Sequence, residues 1–183
     1  MLAICDHDYQ HNAKFLASRN KAIILMLLDS GLRLSEIGNI KLQDVNTDTG
    51  WIKVLGKGAK ERVVRIGKST QKALWRYLMY RGENDRQELW LTEEGKPLRT
   101  SGIQSTVGRL KERAGINGEG CVHRFRHTFA LSFLRADHNP FNLQYLLGHS
   151  SLEMVRRYTL TLGMEDALQA HERASPADLL DLK

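Results

Sequence analysis

Two histidines and an arginine are spaced so that one helix would present them together. His123, Arg126 and His127 stand at positions i, i+3 and i+4, which lie on the same side of a helix. Guanidinium and imidazole groups side by side can bind an anion and can move protons. A basic helix face is more often simply solvated, and an isolated histidine is more often structural, so this cluster has weight only together with other motifs.

Aromatic residues at intervals of four indicate how the same helix is anchored. Phe125, Phe129 and Phe133 fall on a different side from the basic cluster, which suits packing into a core. We therefore expect one helix that is fixed by aromatic rings and presents its basic side to a ligand.

A histidine and a tyrosine follow on the next elements. Asn139-Pro140 predicts the start of a short helix over residues 141–147, and a glycine fits its end. His149 then lies in the turn between two helices, and Tyr158 lies on the second of them. A tyrosine near a helix end is usually a packing residue, so a chemical role for it depends on its partners.

An arginine is predicted in a turn near the start of the chain. Residues 19–29 read as a buried helix that ends before a glycine, and Ser35 is a candidate N-cap for the next short helix. Arg33 falls between the two helices, flanked by leucines. It either binds a ligand or forms a salt bridge with Glu36 or Asp44.

The segment from 44 to 66 has a composition typical of strands. Its β-branched and aromatic residues are interrupted by Thr-Asp-Thr-Gly and Gly-Lys-Gly-Ala-Lys, which predicts three antiparallel strands. Lys57 stands between Gly56 and Gly58 in the last hairpin. Such a hairpin can carry a lysine to a ligand, although a solvated turn lysine is the common alternative.

The whole pattern predicts an α+β fold that is mainly helical, with a small three-stranded antiparallel sheet. Further elements are expected as helices over 68–81, 100–113 and 164–173 and a short buried strand at 89–91, after an irregular start over 1–13.

The composition favours a single basic domain in a reducing compartment. The chain has 183 residues and a formal net charge of +6, which suggests a polyanionic partner. Cys5 and Cys121 form no pattern of a disulfide framework, and no apolar run is long enough to cross a membrane. We therefore expect a cytoplasmic protein.

Five motifs, in this order and at compatible spacing, resemble those of the tyrosine recombinases, the phage-integrase and Xer-like family. The resemblance covers about residues 19–164, and each motif is weak on its own. The motifs are Gly31-Leu-Arg33-x-Ser35-Glu36, Gly56-Lys57-Gly58-x-Lys60-x-Arg62, His123-x-x-Arg126-His127, Leu147-Gly148-His149-Ser150 and Tyr158.

One part of the family's usual organisation has no counterpart in this sequence. The family usually carries an N-terminal helical domain that clamps the other face of DNA. We therefore expect either a single catalytic domain over residues 1–183, with a tail from about 164, or a minimal recombinase. The resemblance implies the catalytic fold of the DNA breaking-rejoining enzymes and a site-specific recombinase or integrase that needs no metal or other cofactor.

The resemblance also implies roles for single residues. Tyr158 would attack a DNA phosphodiester and form a 3′-phosphotyrosyl bond, leaving a free 5′-hydroxyl. Arg33 and Arg126 would hold the non-bridging oxygens, and Lys57 would protonate the leaving 5′-oxygen. His123 would accept the tyrosine proton or bind the phosphate.

Two further site residues have implied roles, and a wider set of cations is available to DNA. His149 would donate to a non-bridging oxygen, and Glu36 would orient Arg33 or a histidine. The basic side chains expected to bind DNA are Lys53, Lys60, Arg62, Arg109, Lys111 and Arg124.

The expected partners are double-stranded DNA and further copies of the chain. A tetramer is expected on paired sites and a monomer in isolation, with the segment 164–183 docked in trans or folded back in cis. The alternatives are a catalytically inactive DNA-binding relative and a type IB topoisomerase-like strand transferase. A metal-dependent nuclease is disfavoured because few carboxylates lie between residues 115 and 158.

Overall fold

The computed structural model describes residues 1–56, 61–118, 121–148 and 153–175. The predictions for Lys57, Lys60 and His149 lie outside the described residues, as does the end of the tail. The elements are α1 (Leu2–Gln10), α2 (Lys14–Ser30), α3 (Leu34–Gly38), a 3₁₀ turn (Leu42–Asp44), β1 (Val45–Asn46), β2 (Trp51–Leu55), β3 (Glu61–Arg65), α4 (Lys68–Arg81), α5 (Thr100–Arg113), α6 (Cys121–Asp137), α7 (Pro140–Leu147) and α8 (Glu153–Arg173). The mainly helical α+β class with a three-stranded antiparallel sheet is confirmed.

The chain divides into two compact units, residues 1–128 and residues 129–183. Helix α6 contributes its first half to the first unit and its second half to the second. The phenylalanine stripe on α6 divides in the same way, because Phe125 packs on the core of the first unit whereas Phe129 and Phe133 pack in the second. The prediction that these rings serve a core is confirmed, with two cores instead of one.

Helix α2 is the centre of the first unit. It buries a continuous apolar face, including Ile23 and Leu27, and packs against α1 and α4. The apolar face of α4 supplies Leu74 and Tyr77, both fully buried, as the spacing of that helix predicted. Helix α2 thus connects α1 and α4 within the first unit.

The sheet has the order β1-β2-β3, with all pairs antiparallel. Its strands alternate, so Ile52, Val54 and Val64 face the core. Gly50 adopts a φ of 73°, and a Cβ there would lie 2.4 Å from the carbonyl oxygen of Ile66. The turn between β1 and β2 therefore requires glycine.

Trp90 fixes the short helix α3 to the core. Its indole Nε1 donates to the carbonyl of Ile37 in α3 over 2.9 Å, and its ring stacks on Tyr77 with centroids 5.4 Å apart. The Tyr77 hydroxyl in turn donates to the carbonyl of Leu89 and accepts from the N–H of Leu91, each over 3.0 Å. Residues 89–91 are buried as predicted, but the predicted strand is wrong, because this segment makes isolated bridge contacts instead of joining the sheet.

The prediction of an irregular start is also wrong. Residues 2–10 form helix α1, which has only one fully buried side chain, Cys5. Its polar residues are held by tertiary ion pairs: Asp8 accepts two hydrogen bonds of 2.7 Å from Arg113 in α5, and Asp6 accepts one from Lys21 in α2. Leu2, Ile4 and Cys5 pack on the core of the first unit, but the polar residues that follow give this helix little apolar periodicity in its sequence.

The second unit is a small helical cluster. Ala130 and Leu134 of α6 pack with Leu143 and Leu147 of α7 and Val155 of α8. The predicted start and end of α7 are confirmed: the Asn139 side chain accepts from the first N–H groups of the helix, and Gly148 closes it in the left-handed conformation.

Helix α8 has a break within it. Gly163 has a φ of 75°, so the segment before it and the segment after it are separate helical pieces. The helix predicted over 164–173 corresponds to the second piece. Among the described residues, no helix combines the length and the apolar character needed to span a bilayer.

Candidate active site

Arg33 lies in the turn between α2 and α3, as predicted. Helix α2 ends at Gly31, whose φ of 61° is left-handed, and Arg33 is itself the N-cap of α3. The backbone N–H of Arg33 donates to Glu36 Oε2 over 2.8 Å. The prediction that Ser35 caps this helix is wrong, because Glu36 reaches back to the N–H of Arg33 and fixes the helix start there.

The carboxylate of Glu36 is the buried centre of an ion cluster. Its side chain is only 2% exposed. Oε1 accepts from Nη1 of Arg33 over 3.0 Å and from Nη1 of Arg62 over 2.7 Å, while Oε2 also accepts from Nη2 of Arg62 over 2.9 Å. Burial alone would raise the pKa of Glu36, but the hydrogen bonds and charges of Arg62 and Arg33 lower this pKa to about 2. Two guanidinium ions around one carboxylate leave the cluster with a net positive charge.

Arg33 keeps part of its guanidinium open to a ligand. Its side chain is 36% exposed, and among the described residues only Nη1 of its guanidinium nitrogens has a hydrogen-bond acceptor. The salt bridge with Glu36 and a ligand-binding role are therefore compatible. One side of the guanidinium is restrained by the carboxylate, and the other side can hold an anion.

Arg126 is held at the same turn. It lies on α6, is 7% exposed, and donates from Nη1 to the carbonyl oxygen of Gly31 over 2.7 Å. Because Gly31 and Arg33 are two positions apart in the turn, this bond brings the second arginine to the segment that carries the first. Two residues that are 93 positions apart in the sequence thus meet at one turn, each held by a different group there.

The two histidines lie on either side of Arg126 along α6. The helix predicted for His123, Arg126 and His127 is confirmed, and both imidazoles are exposed where the arginine is buried. This arrangement fits a phosphate site in which a restrained guanidinium lies deep and the proton-transferring groups lie nearer to solvent.

Tyr158 belongs to the second unit. It lies on α8, is half-buried, and packs against the apolar cluster of that unit. The break at Gly163 follows five positions later, so the tyrosine lies in the first helical piece of α8.

The remaining predicted DNA-binding residues differ in their surroundings. Lys53 pairs with Glu61 over 2.8 Å on the outer face of the sheet, and Arg109 is exposed on α5. Lys111 donates to the carbonyl of Gly118, and Arg124 donates to that of Asn117 over 3.0 Å. These last two contacts hold basic side chains at the loop between α5 and α6.

Arg62 is placed differently from the other basic residues. It was grouped with the DNA-binding residues, yet its side chain is 10% exposed and both terminal nitrogens donate to Glu36. A signal for this was present in the sequence. Strand alternation gives Arg62 the same orientation as Val64 and Ile66, which are buried, and the opposite orientation to Arg65.

Solved structures identify the fold. The crystal structure of XerA recombinase superposes with a TM-score of 0.76 at 28% identity, covering 96% of this chain and 61% of that one. XerH site-specific recombinase bound to difH substrate gives a TM-score of 0.72 at 26% identity, over 86% of this chain and 48% of that one. The fold is therefore that of the catalytic domain of tyrosine recombinases.

The family follows from the sequence comparison. The model of the phage integrase family matches residues 2–162, so the chain belongs to that family. Tyrosine recombinase XerC of Leptospira interrogans is 35% identical over 175 residues, which are 94% of this chain and 56% of that protein. XerC of Oceanobacillus iheyensis is 34% identical over 170 residues, 87% of this chain and 56% of that protein. The chain thus spans about half the length of these relatives.

Replacement of Glu36 by Gln should change how stability depends on pH. Because the pKa of Glu36 is lowered from its ordinary 4.5 to about 2 on folding, its contribution to stability is present above pH ~4.5 and is lost as the pH falls towards ~2. The unfolding free energy of wild type should therefore exceed that of Glu36→Gln by about 3 kcal/mol at neutral pH. This gap should narrow by about 2 kcal/mol between pH ~5 and ~3.

Urea titrations of both proteins across this range measure the gap. Glu61→Gln is the matched control, because that glutamate is 57% exposed and pairs with a lysine at the surface. A gap between wild type and Glu36→Gln that stays constant down to pH ~3 would contradict the lowered pKa.

Proposed function

We propose that this protein is a site-specific DNA recombinase or integrase that cuts and rejoins DNA through a 3′-phosphotyrosyl intermediate. The observation that carries this proposal is the convergence of Arg33 and Arg126 on one turn, in a chain that belongs to the phage integrase family. Relatives along its length are tyrosine recombinases, and XerH site-specific recombinase was solved bound to difH substrate.

The reaction begins with an in-line attack of the Tyr158 hydroxyl on a DNA phosphate. The new bond joins the tyrosine oxygen to phosphorus, and the bond from phosphorus to the 5′-oxygen breaks. The tyrosine proton passes to a base, for which His123 is the candidate, and Lys57 gives a proton to the departing 5′-oxygen. The energy of the phosphodiester is kept in the protein–DNA bond, so a 5′-hydroxyl can reverse the step without ATP.

The arginines stabilise the charge of the transition state. Arg33 and Arg126 offer guanidinium nitrogens to the non-bridging oxygens, and a planar guanidinium can bind two oxygens at once, which a lysine cannot. Because both arginines are restrained before DNA arrives, through Glu36 and through the carbonyl of Gly31, little reorganisation is needed when the phosphate binds. His149 adds a further donor to the phosphate.

Double-stranded DNA is the proposed substrate, bound through the positive surface of the protein. The net charge of +6 and exposed cations such as Arg109 support binding to the phosphate backbone. Lys53, Lys60, Lys111 and Arg124 are the further candidates for these contacts. Recombination joins two DNA partners, so we propose that copies of the chain assemble on paired sites as a tetramer from a monomer in solution.

Loss of the Tyr158 hydroxyl should abolish covalent attachment to DNA. Tyr158→Phe removes the nucleophile and little else, so DNA binding should persist. A pool of nicked duplexes with randomised sequence serves as substrate, since a nick lets the cut fragment diffuse away and traps the adduct. Wild type should retain DNA under denaturing conditions, and sequencing the captured duplexes gives a defined substrate.

Tyr145→Phe is the control for this experiment, because Tyr145 is 74% exposed on α7. It should form the adduct at the wild-type level. A wild-type adduct that maps to Tyr145 or Tyr77 would refute the assignment of the nucleophile. The absence of any adduct would refute the proposed recombinase function.

A substrate with a better leaving group should rescue a Lys57 variant. In a duplex with a 5′-bridging phosphorothiolate the leaving group is a thiolate, which needs little protonation. Lys57→Ala should therefore cleave normal DNA more slowly by at least ~100-fold, and should approach the wild-type rate on the sulfur substrate. Equal impairment on both substrates would mean that Lys57 only binds DNA, and Lys60 would become the candidate acid.

Removal of residues 174–183 should affect assembly on DNA. Leu168 is 65% exposed in the second piece of α8, and Leu179, Leu180 and Leu182 follow in the sequence, so this segment offers apolar side chains to a partner. We expect fewer multimers on paired sites in gel-shift assays, with adduct formation on a single site retained or increased. Unchanged assembly and unchanged cleavage would show that the tail has no such role.

A further inference from the structure

Arg62 occupies an inward position on β3, close to the core. Strand alternation directs it to the same side as Val64 and Ile66, which are 2% and 1% exposed. A guanidinium in such a place must have a partner, because burying an unpaired charge is costly. The partner is the Glu36 carboxylate, which Arg62 binds with two nearly parallel hydrogen bonds of 2.7 and 2.9 Å.

The same carboxylate also holds Arg33. Glu36 therefore connects a buried arginine on the sheet to a half-exposed arginine in the turn before α3. Among the described residues, the charged groups that bond to Glu36 are these two arginines, from β3 and from the start of α3. If Arg62 were removed, Arg33 would be the one cation left on this buried carboxylate within the described part of the chain, and it would be drawn towards it.

We propose that Arg62 is a positioning residue for DNA cleavage: it fixes the Glu36 carboxylate, and through it the guanidinium of Arg33, without itself binding DNA. This inference rests on the proposed function, because it concerns the rate of strand cleavage. It gives the last arginine of the Gly-Lys-Gly-x-Lys-x-Arg motif a role different from that of the lysines that precede it. Within the proposed function, the lysines are candidates for contacts with DNA, whereas the arginine acts through Glu36 on Arg33.

A double-mutant cycle tests whether Arg62 acts through Glu36. The single-turnover rate of adduct formation is measured for wild type, Arg62→Met, Glu36→Gln and the double variant, on the duplex selected by covalent capture. Arg62→Met should lower the rate by about 100-fold, because a displaced guanidinium no longer fits the transition state. In the Glu36→Gln background the same replacement should change the rate by less than ~3-fold, since the connection is already broken.

The salt dependence of binding separates this role from a DNA contact. The logarithm of the DNA-binding constant falls linearly with the logarithm of the salt concentration. Removing a side chain that neutralises a phosphate makes this slope less steep by about 1. In the Tyr158→Phe background, Arg62→Met should leave this slope unchanged on a duplex of defined sequence. Arg65→Ala is the matched control for charge. Arg65 lies on the same strand and is exposed, and its replacement removes the same formal charge.

Each outcome decides between the roles. A reduced slope for Arg62→Met, or an equal loss of rate with and without Glu36, would overturn the positioning role. Arg62→Lys keeps the charge but loses the paired geometry. This variant should fold and should cleave at least ~10-fold more slowly than wild type. The role of Arg62 can therefore be tested even if Arg62→Met does not fold. If the wild type forms no adduct, both this inference and the proposed recombinase function are overturned. If the wild type cleaves DNA but the effects of the two replacements are additive, the inference alone is overturned.

Discussion

A carboxylate that is removed from water remains charged only where donors and cations surround it. Glu36 meets this condition with four hydrogen bonds from two arginines. One of these donors is the backbone N–H at the start of α3, so the same group that closes the helix also restrains the Arg33 side chain. The start of the helix, the conformation of the turn and the direction of a guanidinium thus depend on one ionised side chain.

The turn between α2 and α3 is supported from other elements as well. Trp90 holds α3 through the carbonyl of Ile37, and Arg126 holds the end of α2 through the carbonyl of Gly31. Backbone carbonyls at helix ends lack partners within their helix, so they are available to such side chains. The consequence is that Arg33 and Arg126 are both restrained by short-range bonds at one turn, an arrangement that suits the preorganised anion site proposed above.

Local sequence patterns predicted most of the helices and strands, but they did not predict which side chains pair when they are distant in the sequence. Helix α4 and the sheet followed from periods of 3.6 and 2, because their buried faces are apolar. Helix α1 was missed because Leu2, Ile4 and Cys5, which pack on the core, are followed by polar residues and form no sustained apolar period. The bond between Arg62 and Glu36 joins residues 26 positions apart, and spacing alone does not indicate which acid a strand arginine meets.

Helix α6 runs from one compact unit into the other, with His123 and Arg126 in the first and the rings of Phe129 and Phe133 in the second. Tyr158 depends on the second unit, which has the smaller apolar cluster. Proteins open locally in cooperative segments of differing stability. Partial unfolding of the smaller unit would therefore displace Tyr158, the proposed nucleophile, while Arg33 stays bonded to Glu36 in the first unit. Amide hydrogen exchange along this single helix would then report two protection levels, one for the half of α6 in each unit.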